Sequence, residues 1–501
     1  MNDNRSYRIV IAGGGTAGWM AAALLARFLP QGFAMELVES EAIGTVGVGE
    51  ATIPQIRHFN QALGIDEAEF LRETKGSFKL GISFDGWAAP EHSYMHAFGE
   101  IGRGSGLLAF HHLWLRARQL GFAKDLAHYS LNEIAARNLR MPGPGGPGLA
   151  QAYHFDATLY AAFLRRYAEA RGVARTEGRI LSVDLCGESG DIKALSLDDE
   201  RRIEGDFFID CTGFRALLIE GAMQAGFDNW SGLLPCDRAV AVPCASGGDF
   251  TPYTRAIARP AGWQWRIPLQ HRIGNGYVFS SQYCSEDEAR ETLLTNLDGA
   301  PDGEPRVLKF TTGKRRRQWV GNCLALGLAA GFMEPLESTS IHLVQSALAR
   351  FMQILPAGRP AQSTIDHFNA QADFEWSRIR DFLVLHYWAN GREGEPFWDA
   401  MRAVALPVTL QAKIDQWRDA GHIHREHEEL FTEVAWFQVL AGQRVAAQRY
   451  NPLADAIPAQ ELEELLAKQE RQLKQTAAAM PRHADTLGRL LTRSTTKDTA
   501  A

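Results

Sequence analysis

Hydrophobic residues in this chain first come as short strand-like runs and later recur at helical spacing. Ile9-Val10-Ile11-Ala12 is an apolar run of strand character that stops at Gly13. A Gly-x-Gly-x-x-Gly turn of Gly13, Gly15 and Gly18 follows, and Met20 to Ala26 reads as a helix. Ala34 to Val38 is a second strand, closed by Glu39. A helical stretch is predicted over Gln55–Leu63, and the segment Glu67–Thr74 follows it. Strict alternation then puts Phe78, Leu80, Ile82 and Phe84 on one face of a strand and Lys79, Gly81 and Ser83 on the other. Asp156 is an N-cap candidate for a helix carrying Leu159, Phe163, Leu164 and Tyr167. Asp206 to Gly213 reads as a buried strand ending in small residues. Gly262 to Pro268 is a strand with Trp263 and Trp265 on one face, and strands continue from Tyr277 to Tyr283. Trp319 to Leu328 is predicted as another strand, followed by a helix from Leu343 to about Leu355. From Asp366 the pattern is mainly helical, over Phe374–Trp388, Leu410–Ala420 and Pro458–Ala479, and Thr495–Ala501 reads as a frayed tail.

Composition narrows the class. A chain of 501 residues exceeds one ordinary core, so two subdomains or one large composite domain are expected. The 52 Lys and Arg against 59 Asp and Glu give a net charge of −7, which argues against nucleic acid or an anionic membrane as the main partner. The short basic run Lys314-Arg315-Arg316-Arg317 reads as a solvated turn between strands. The cysteines Cys186, Cys211, Cys236, Cys244, Cys284 and Cys323 are scattered without a C-x-x-C pair, so neither a metal site nor a disulfide framework is expected. With no N-terminal signal pattern and no apolar stretch of membrane-spanning length, a cytoplasmic location is the expectation.

The strongest chemical signal is the first turn. Its glycines permit a tight turn, close approach of backbone to a pyrophosphate and close packing of helix on strand. The N–H groups and dipole of the helix N-terminus favour the phosphates. Glu39 is placed to accept a ribose hydroxyl. Strand, glycines, helix, second strand and acid occur in order, and together they predict dinucleotide binding. Ile43 to Pro54, with Gly44, Gly47 and Gly49, reads either as a connector or as a strap against a flat cofactor. On its strand alone, Lys79 reads as a solvated lysine. Ser338, Thr339 and Ser340 precede a helix, where their N–H groups can hold a small anion or where Ser338 or Thr339 simply caps the helix. Glu337 beside them is either an exposed carboxylate or a placed base. His92, His96, His111 and His112, with Phe98, Phe110 and Trp114, fit no standard metal spacing and suggest either an aromatic pocket or core packing.

Taken together, these stretches resemble the flavin-dependent halogenases of the tryptophan halogenase family, from the first strand to about Asp455. The resemblance is carried by Gly13-Gly14-Gly15-Thr16-Ala17-Gly18-Trp19, by Lys79, by Trp263-Gln264-Trp265-Arg266-Ile267-Pro268 and by Pro335-Leu336-Glu337-Ser338-Thr339. It implies FAD, used as FADH2, and a halide ion, chloride or bromide. Reduced flavin and dioxygen turn the halide into hypohalous acid, which travels inside the protein to a lysine near an organic substrate. The resemblance assigns Lys79 to hold or carry the halogen and Glu337 to position or polarise that species and assist proton loss. It assigns Thr339 and Ser340 to the halide. Gly13, Gly15, Thr16, Ala17, Gly18, Glu39, Ala51, Leu328 and Ile341 are assigned to the flavin. His96, Phe98 and Trp436 are assigned to a sandwich around the substrate ring. Trp263 and Trp265 are treated as surroundings of the flavin that hinder direct oxygenation.

Two departures shape the expectation. Ser340 stands where many tryptophan halogenases have glycine, which bears on halide preference. The tyrosine-rich segment that grips free tryptophan in the family is not found, and Arg444 to Tyr450 offers one tyrosine, so indole or another electron-rich arene is the expected substrate. The alternatives are a flavin-dependent hydroxylase and a silent flavin-binding protein. Gly327-Leu328-Ala329-Ala330-Gly331 lacks the acid that related hydroxylases carry at that turn. The predicted fold class is α/β: an FAD-binding Rossmann-like domain, similar to the GR2-type flavoprotein monooxygenases, with a mixed β-sheet substrate region. The predicted division is 1–365 for that domain with its interleaved sheet, 366–494 for a mainly helical substrate-capping part, and 495–501 for the tail. Expected partners are a small aromatic substrate and a separate flavin reductase, with no nucleic acid and no membrane. The reading leaves room for a homodimer.

Overall fold

In a computed structural model of the chain, the apolar run at Tyr7–Ala12 lies inside a six-stranded sheet. The structure describes residues 6–43, 49–143, 145–246 and 251–493. The sheet order is Trp319–Val320, Cys323–Ala325, Phe207–Asp210, Tyr7–Ala12, Phe33–Glu39 and Ala174–Glu177. Ile9 to Ala12 pair in parallel with Phe207 to Asp210 on one side and with Met35 to Val38 on the other. Central parallel strands are covered on both faces, which explains why the run is apolar throughout rather than alternating. The helices Thr16–Phe28, Ala157–Glu169 and Ser340–Gln353 accompany this sheet, the first packing against both others.

These elements belong to one of two units, assembled from Met1–Gly76, Phe155–Ser231 and Lys309–Trp376. The other comprises Ser77–His154, Gly232–Leu308 and Ser377–Ala501. The long helix Gln362–Trp388 starts in the first unit and ends in the second. The second unit is built on a mostly antiparallel sheet. Its order is Arg306–Lys309, Arg238–Ala241, Ile273–Phe279, Gly262–Pro268, Thr254–Arg259, Gly81–Asp85 and Ser93–Ala97. Trp263 and Trp265 are both buried there, their ring centres 6.3 Å apart. Trp265 lies over Gly276, its cross-strand partner, where a Cβ would come within 2.1 Å of the indole.

Several sequence expectations are corrected. The single strand predicted through Lys79 is two short ones, Ser77–Lys79 and Gly81–Asp85, in different sheets. Lys79, Gly81 and Ser83 are as buried as their apolar neighbours, so the polar face does not meet water. Trp319–Leu328 is a tight hairpin, Trp319–Val320 with Cys323–Ala325, followed by a 3-10 turn at Gly327–Ala329. The basic run is not simply a solvated turn. Gly313–Arg315 is a strand, and Lys314 is 2% exposed, with Nζ 3.2 Å from Asp228 and 2.7 Å from Asp373. Only Arg316 and Arg317 of the run are exposed. The helix expected from Leu343 begins at Ser340, and the helix expected after Asp366 begins at Gln362. Asp156 caps its helix as predicted, accepting N–H bonds from Thr158 at 3.0 Å and Leu159 at 3.2 Å. The core of the predicted strap, residues 44–48, and the predicted tail, 495–501, lie outside the described residues.

Candidate functional site

The first unit gathers the turns assigned to the flavin. Gly13 has φ of +108°, and a Cβ there would fall 2.3 Å from the Cys211 carbonyl oxygen. A Cβ at Gly18 would fall 1.9 Å from the Gly13 oxygen, so helix and turn touch through backbone. At Gly15 a Cβ would meet nothing within 4 Å. Gly15 is also the N-cap of the helix Thr16–Phe28 and makes no side-chain cap. The N–H groups of Thr16, Ala17 and Gly18 lack intrahelical acceptors by helix geometry, and open space lies beside them at Gly15. This cradle fits a pyrophosphate, and with it a dinucleotide such as FAD.

Glu39 ends its strand beside this turn. Its carboxylate accepts from Trp19 Nε1 at 3.3 Å and from Arg175 Nε at 2.5 Å. It packs so closely on Gly14 that a Cβ there would overlap it at 1.4 Å, a constraint the sequence reading missed. A carboxylate has about four acceptor positions, so these bonds leave capacity for a hydroxyl. Ala51 is buried in the strand Gly49–Ala51. The turn before Leu328 meets the same helix, because a Cβ on Gly327 would lie 2.7 Å from the Ala17 methyl.

Behind Cys211, Asp210 is fully buried and organises the second turn. It accepts from Thr212 N–H at 2.9 Å, Thr212 Oγ1 at 2.7 Å, Leu218 N–H at 2.9 Å and Ile219 N–H at 2.8 Å. Burial raises its pKa, and these hydrogen bonds pull the other way. A cavity of about 400 Å³ opens in the same unit, lined by Phe214, Phe227, Phe310, Phe332, Arg315 and Leu328 among others. The Arg315 guanidinium lies 5.1 Å from the Phe227 ring centre and pairs with Glu220 at 2.8 Å. Aromatic faces with a fixed cation suit a flat group carrying negative charge.

The acidic turn is also in the first unit. Glu337 ends the 3-10 turn Pro335–Glu337 and is 1% exposed, so it is not a surface carboxylate. Ser338 is left-handed at φ +59°, and its N–H donates to the Pro335 oxygen at 3.0 Å. Thr339 is the N-cap of Ser340–Gln353 but makes no side-chain capping bond. Ile341, in the first turn of that helix, is buried. Thr339 therefore does not cap the helix through its side chain, and a helix N-terminus of this kind favours a small anion.

The second unit holds Lys79 and the aromatic residues. Lys79 has no exposed surface, and its Nζ lies 5.3 Å from the Phe98 ring centre. The close approach of its chain to the His96–Phe98 stretch depends on Gly81, where a Cβ would sit 2.7 Å from the His96 oxygen. The backbone between His96 and Phe98 is gripped by Gln438, which accepts from Ala97 N–H at 2.8 Å and donates to Ala97 O at 3.0 Å. Gln438 stands two residues beyond Trp436 on the helix Glu433–Gly442, so the H-x-F pair and Trp436 are held by one bidentate clasp. Phe382 packs edge-on to Trp436 at 4.9 Å and lies 5.7 Å from His96. Phe431 stacks on Phe382 at 3.8 Å. Lys413 Nζ lies 5.2 Å from the Trp436 ring centre and 3.1 Å from Glu429. Gln438, Phe382, Phe431 and Lys413 were missed in the sequence because nothing in their local spacing sets them apart from core or surface residues. His111 and His112 lie against each other, ring centres 4.1 Å apart, and burial pushes His111 down to about 3.

The chain matches the family model described as tryptophan halogenase over residues 8–459. It is 33% identical to the tryptophan 6-halogenase SttH of Streptomyces toxytricini, over 94% of this chain and 96% of that one. Among solved structures it is similar to Xcc4156, a flavin-dependent halogenase from Xanthomonas campestris, with TM-score 0.95 and 46% identity over 97% and 98% of the two chains. It is also similar to BrvH, a flavin-dependent halogenase from Brevundimonas sp. BAL3, with TM-score 0.93 and 42% identity over 97% and 100%.

Proposed function

We propose that this chain, which belongs to the tryptophan halogenase family and is therefore a flavin-dependent halogenase, halogenates an electron-rich arene such as indole. The observation that carries the substrate side is Lys79, a wholly buried amine against the Phe98 ring, in the unit that also contains His96 and Trp436. Burying a lysine is costly unless its environment stabilises it, so a buried lysine beside an aromatic surface is a candidate for chemistry. When bound, reduced FAD with dioxygen supplies the oxidising power that converts chloride or bromide into hypohalous acid, HOX.

In this reading the N–H groups at Thr339 and Ser340 hold the halide, and Gly13, Gly15, Thr16, Ala17, Gly18, Glu39, Ala51, Leu328 and Ile341 hold the dinucleotide. Lys79 donates a hydrogen bond to the oxygen of HOX or, as the free amine, captures the halogen with release of water. The arene exchanges one ring hydrogen for the halogen, and Glu337 assists loss of that proton. His96, Phe98 and Trp436 fix the ring. The mainly helical stretch 366–494 supplies Trp436 and caps the substrate. A separate reductase provides FADH2.

The test is product mass after turnover with FAD, a flavin reductase, NADH, oxygen, indole and either chloride or bromide. A halogenated indole is expected, and hydroxylated indole as the sole product overturns the reading. Lys79→Ala is expected to lower halogenation by about a thousandfold or more with FAD affinity retained. Full activity in that variant removes Lys79 from the chemistry.

A further inference from the structure

His154 is a wholly buried histidine with both ring nitrogens engaged, and nothing in the proposed chemistry uses it. It faces Ser77 across the antiparallel pair Ser77–Lys79 and Ala152–Asp156, in which Lys79 stands opposite Ala152. Its Nδ1 lies 3.2 Å from Ser77 Oγ, and its Nε2 lies 2.9 Å from Thr254 Oγ1. Ser77 Oγ also lies 2.8 Å from the carbonyl oxygen of Pro268. A carbonyl only accepts, so the single Ser77 hydroxyl proton goes to Pro268. The contact with His154 then requires the imidazole to donate from Nδ1. Burial, and after it the charges of Lys79, His483 and Arg266, hold the His154 pKa well below its ordinary value. The ring is therefore neutral at physiological pH, and Nε2 accepts from the Thr254 hydroxyl.

The connections of this imidazole are long-range. Thr254 begins the strand Thr254–Arg259 and stands opposite Ile82. Pro268 ends the strand that carries Trp263 and Trp265. Ser77 and Lys79 are two residues apart on one strand, so they share a face. The face through which Ser77 is anchored is thus the face to which the Lys79 side chain belongs. A four-carbon stem is floppy, and an amine on it is placed only as well as its strand is placed.

We propose that His154 is the positioning residue for the Lys79 amine: as the Nδ1–H tautomer between Ser77 and Thr254, it fastens the Lys79 strand to the strand beginning at Thr254, while the Ser77 hydroxyl holds the strand ending at Pro268. The role rests on the reading of Lys79 as the amine that handles the halogen. A neutral ring meets the requirement better than a charged one. An imidazolium beside Lys79 repels an ammonium, and the neutral ring does not.

The experiment compares wild type with His154→Leu, His154→Gln, Thr254→Val and Lys79→Met. Halogenated indole is measured against hypohalous acid intercepted by a 1,3-diketone trap, alongside FAD affinity. A general loss of folded enzyme lowers product and trapped oxidant together, whereas a misplaced lysine lowers only product. In His154→Leu the ratio of product to trapped oxidant is expected to fall about tenfold, with the indole KM within about threefold of wild type and FAD affinity kept. His154→Gln, whose amide both donates and accepts, is expected to recover much of the ratio, and Thr254→Val is expected to lie between wild type and His154→Leu. A wild-type ratio in His154→Leu, with Lys79→Met inactive, overturns the proposal. If His154→Leu does not fold, wild-type ratios in both His154→Gln and Thr254→Val overturn it instead, and a reduced ratio in Thr254→Val supports it. Halogenation by Lys79→Met at the wild-type rate defeats the underlying reading of the lysine and is distinguishable from either result.

Discussion

Gly15 and Gly18 lie three residues apart in one motif, yet the structure gives them opposite sensitivities. Beside Gly15 a methyl group meets nothing within 4 Å, whereas at Gly18 it meets the Gly13 oxygen at 1.9 Å. Gly15→Ala is therefore expected to leave stability within about 0.5 kcal/mol of wild type. It should weaken FAD binding by about tenfold or more, because the methyl fills space required by the pyrophosphate. Gly18→Ala should cost about 1–3 kcal/mol of stability through overpacking against backbone. Thermal unfolding without flavin and FAD titration check both. Equal destabilisation by the two, or wild-type FAD affinity in Gly15→Ala, contradicts the assignment. The spacing of the motif was legible because glycine alone suits such a turn, but which glycine faces open space was not.

At the scale of elements, the helix Ala459–Ala478 shows how one buried acid ties secondary structure together. Glu470 on this helix is 5% exposed and accepts from Lys124 at 2.6 Å, His128 at 2.8 Å and Lys474 at 2.7 Å. Burial by itself raises its pKa, but the bonds from Lys124, Lys474 and His128 outweigh it and hold the carboxyl down at about 2. Because the folded-state value lies below the unfolded one, the cluster stabilises the fold fully above about pH 4.5. That contribution is lost as pH falls through about 4.5 towards 2. The lysines are half exposed, so solvent screening limits the effect to about 1–2 kcal/mol. Denaturant unfolding at pH 6 and pH 3 should show a smaller acid-induced loss in Glu470→Gln than in wild type. Identical losses rule out this role. The helix itself was legible from its amphipathic spacing, and so was the Asp156 cap. The split at Lys79 and the hairpin at Trp319–Ala325 were not, because two short strands and one long strand have the same alternation.

For the whole molecule, the proposed dinucleotide site would make flavin binding an anchor for one of the two units. All nine residues assigned to the dinucleotide lie in the first unit. A ligand bound to the native state alone, at one hundred times its Kd, adds about 2.7 kcal/mol of stability. FAD should therefore raise the unfolding temperature of wild type, and Gly15→Ala should show a much smaller rise at the same flavin concentration. An equal rise in both removes the phosphate cradle from flavin binding. The glycine turn, the apolar central strand, the helical character of the later chain and the family resemblance are all readable in the residues alone, because they rest on local backbone preference and short-range periodicity. The burial of Lys79 and Lys314 emerges from packing alone, since alternation distinguishes two faces of a strand without revealing what covers either one. The same holds for the clasp of Gln438 on Ala97 and the tether of His154 between Ser77 and Thr254, which join residues brought together only when distant strands and helices pack.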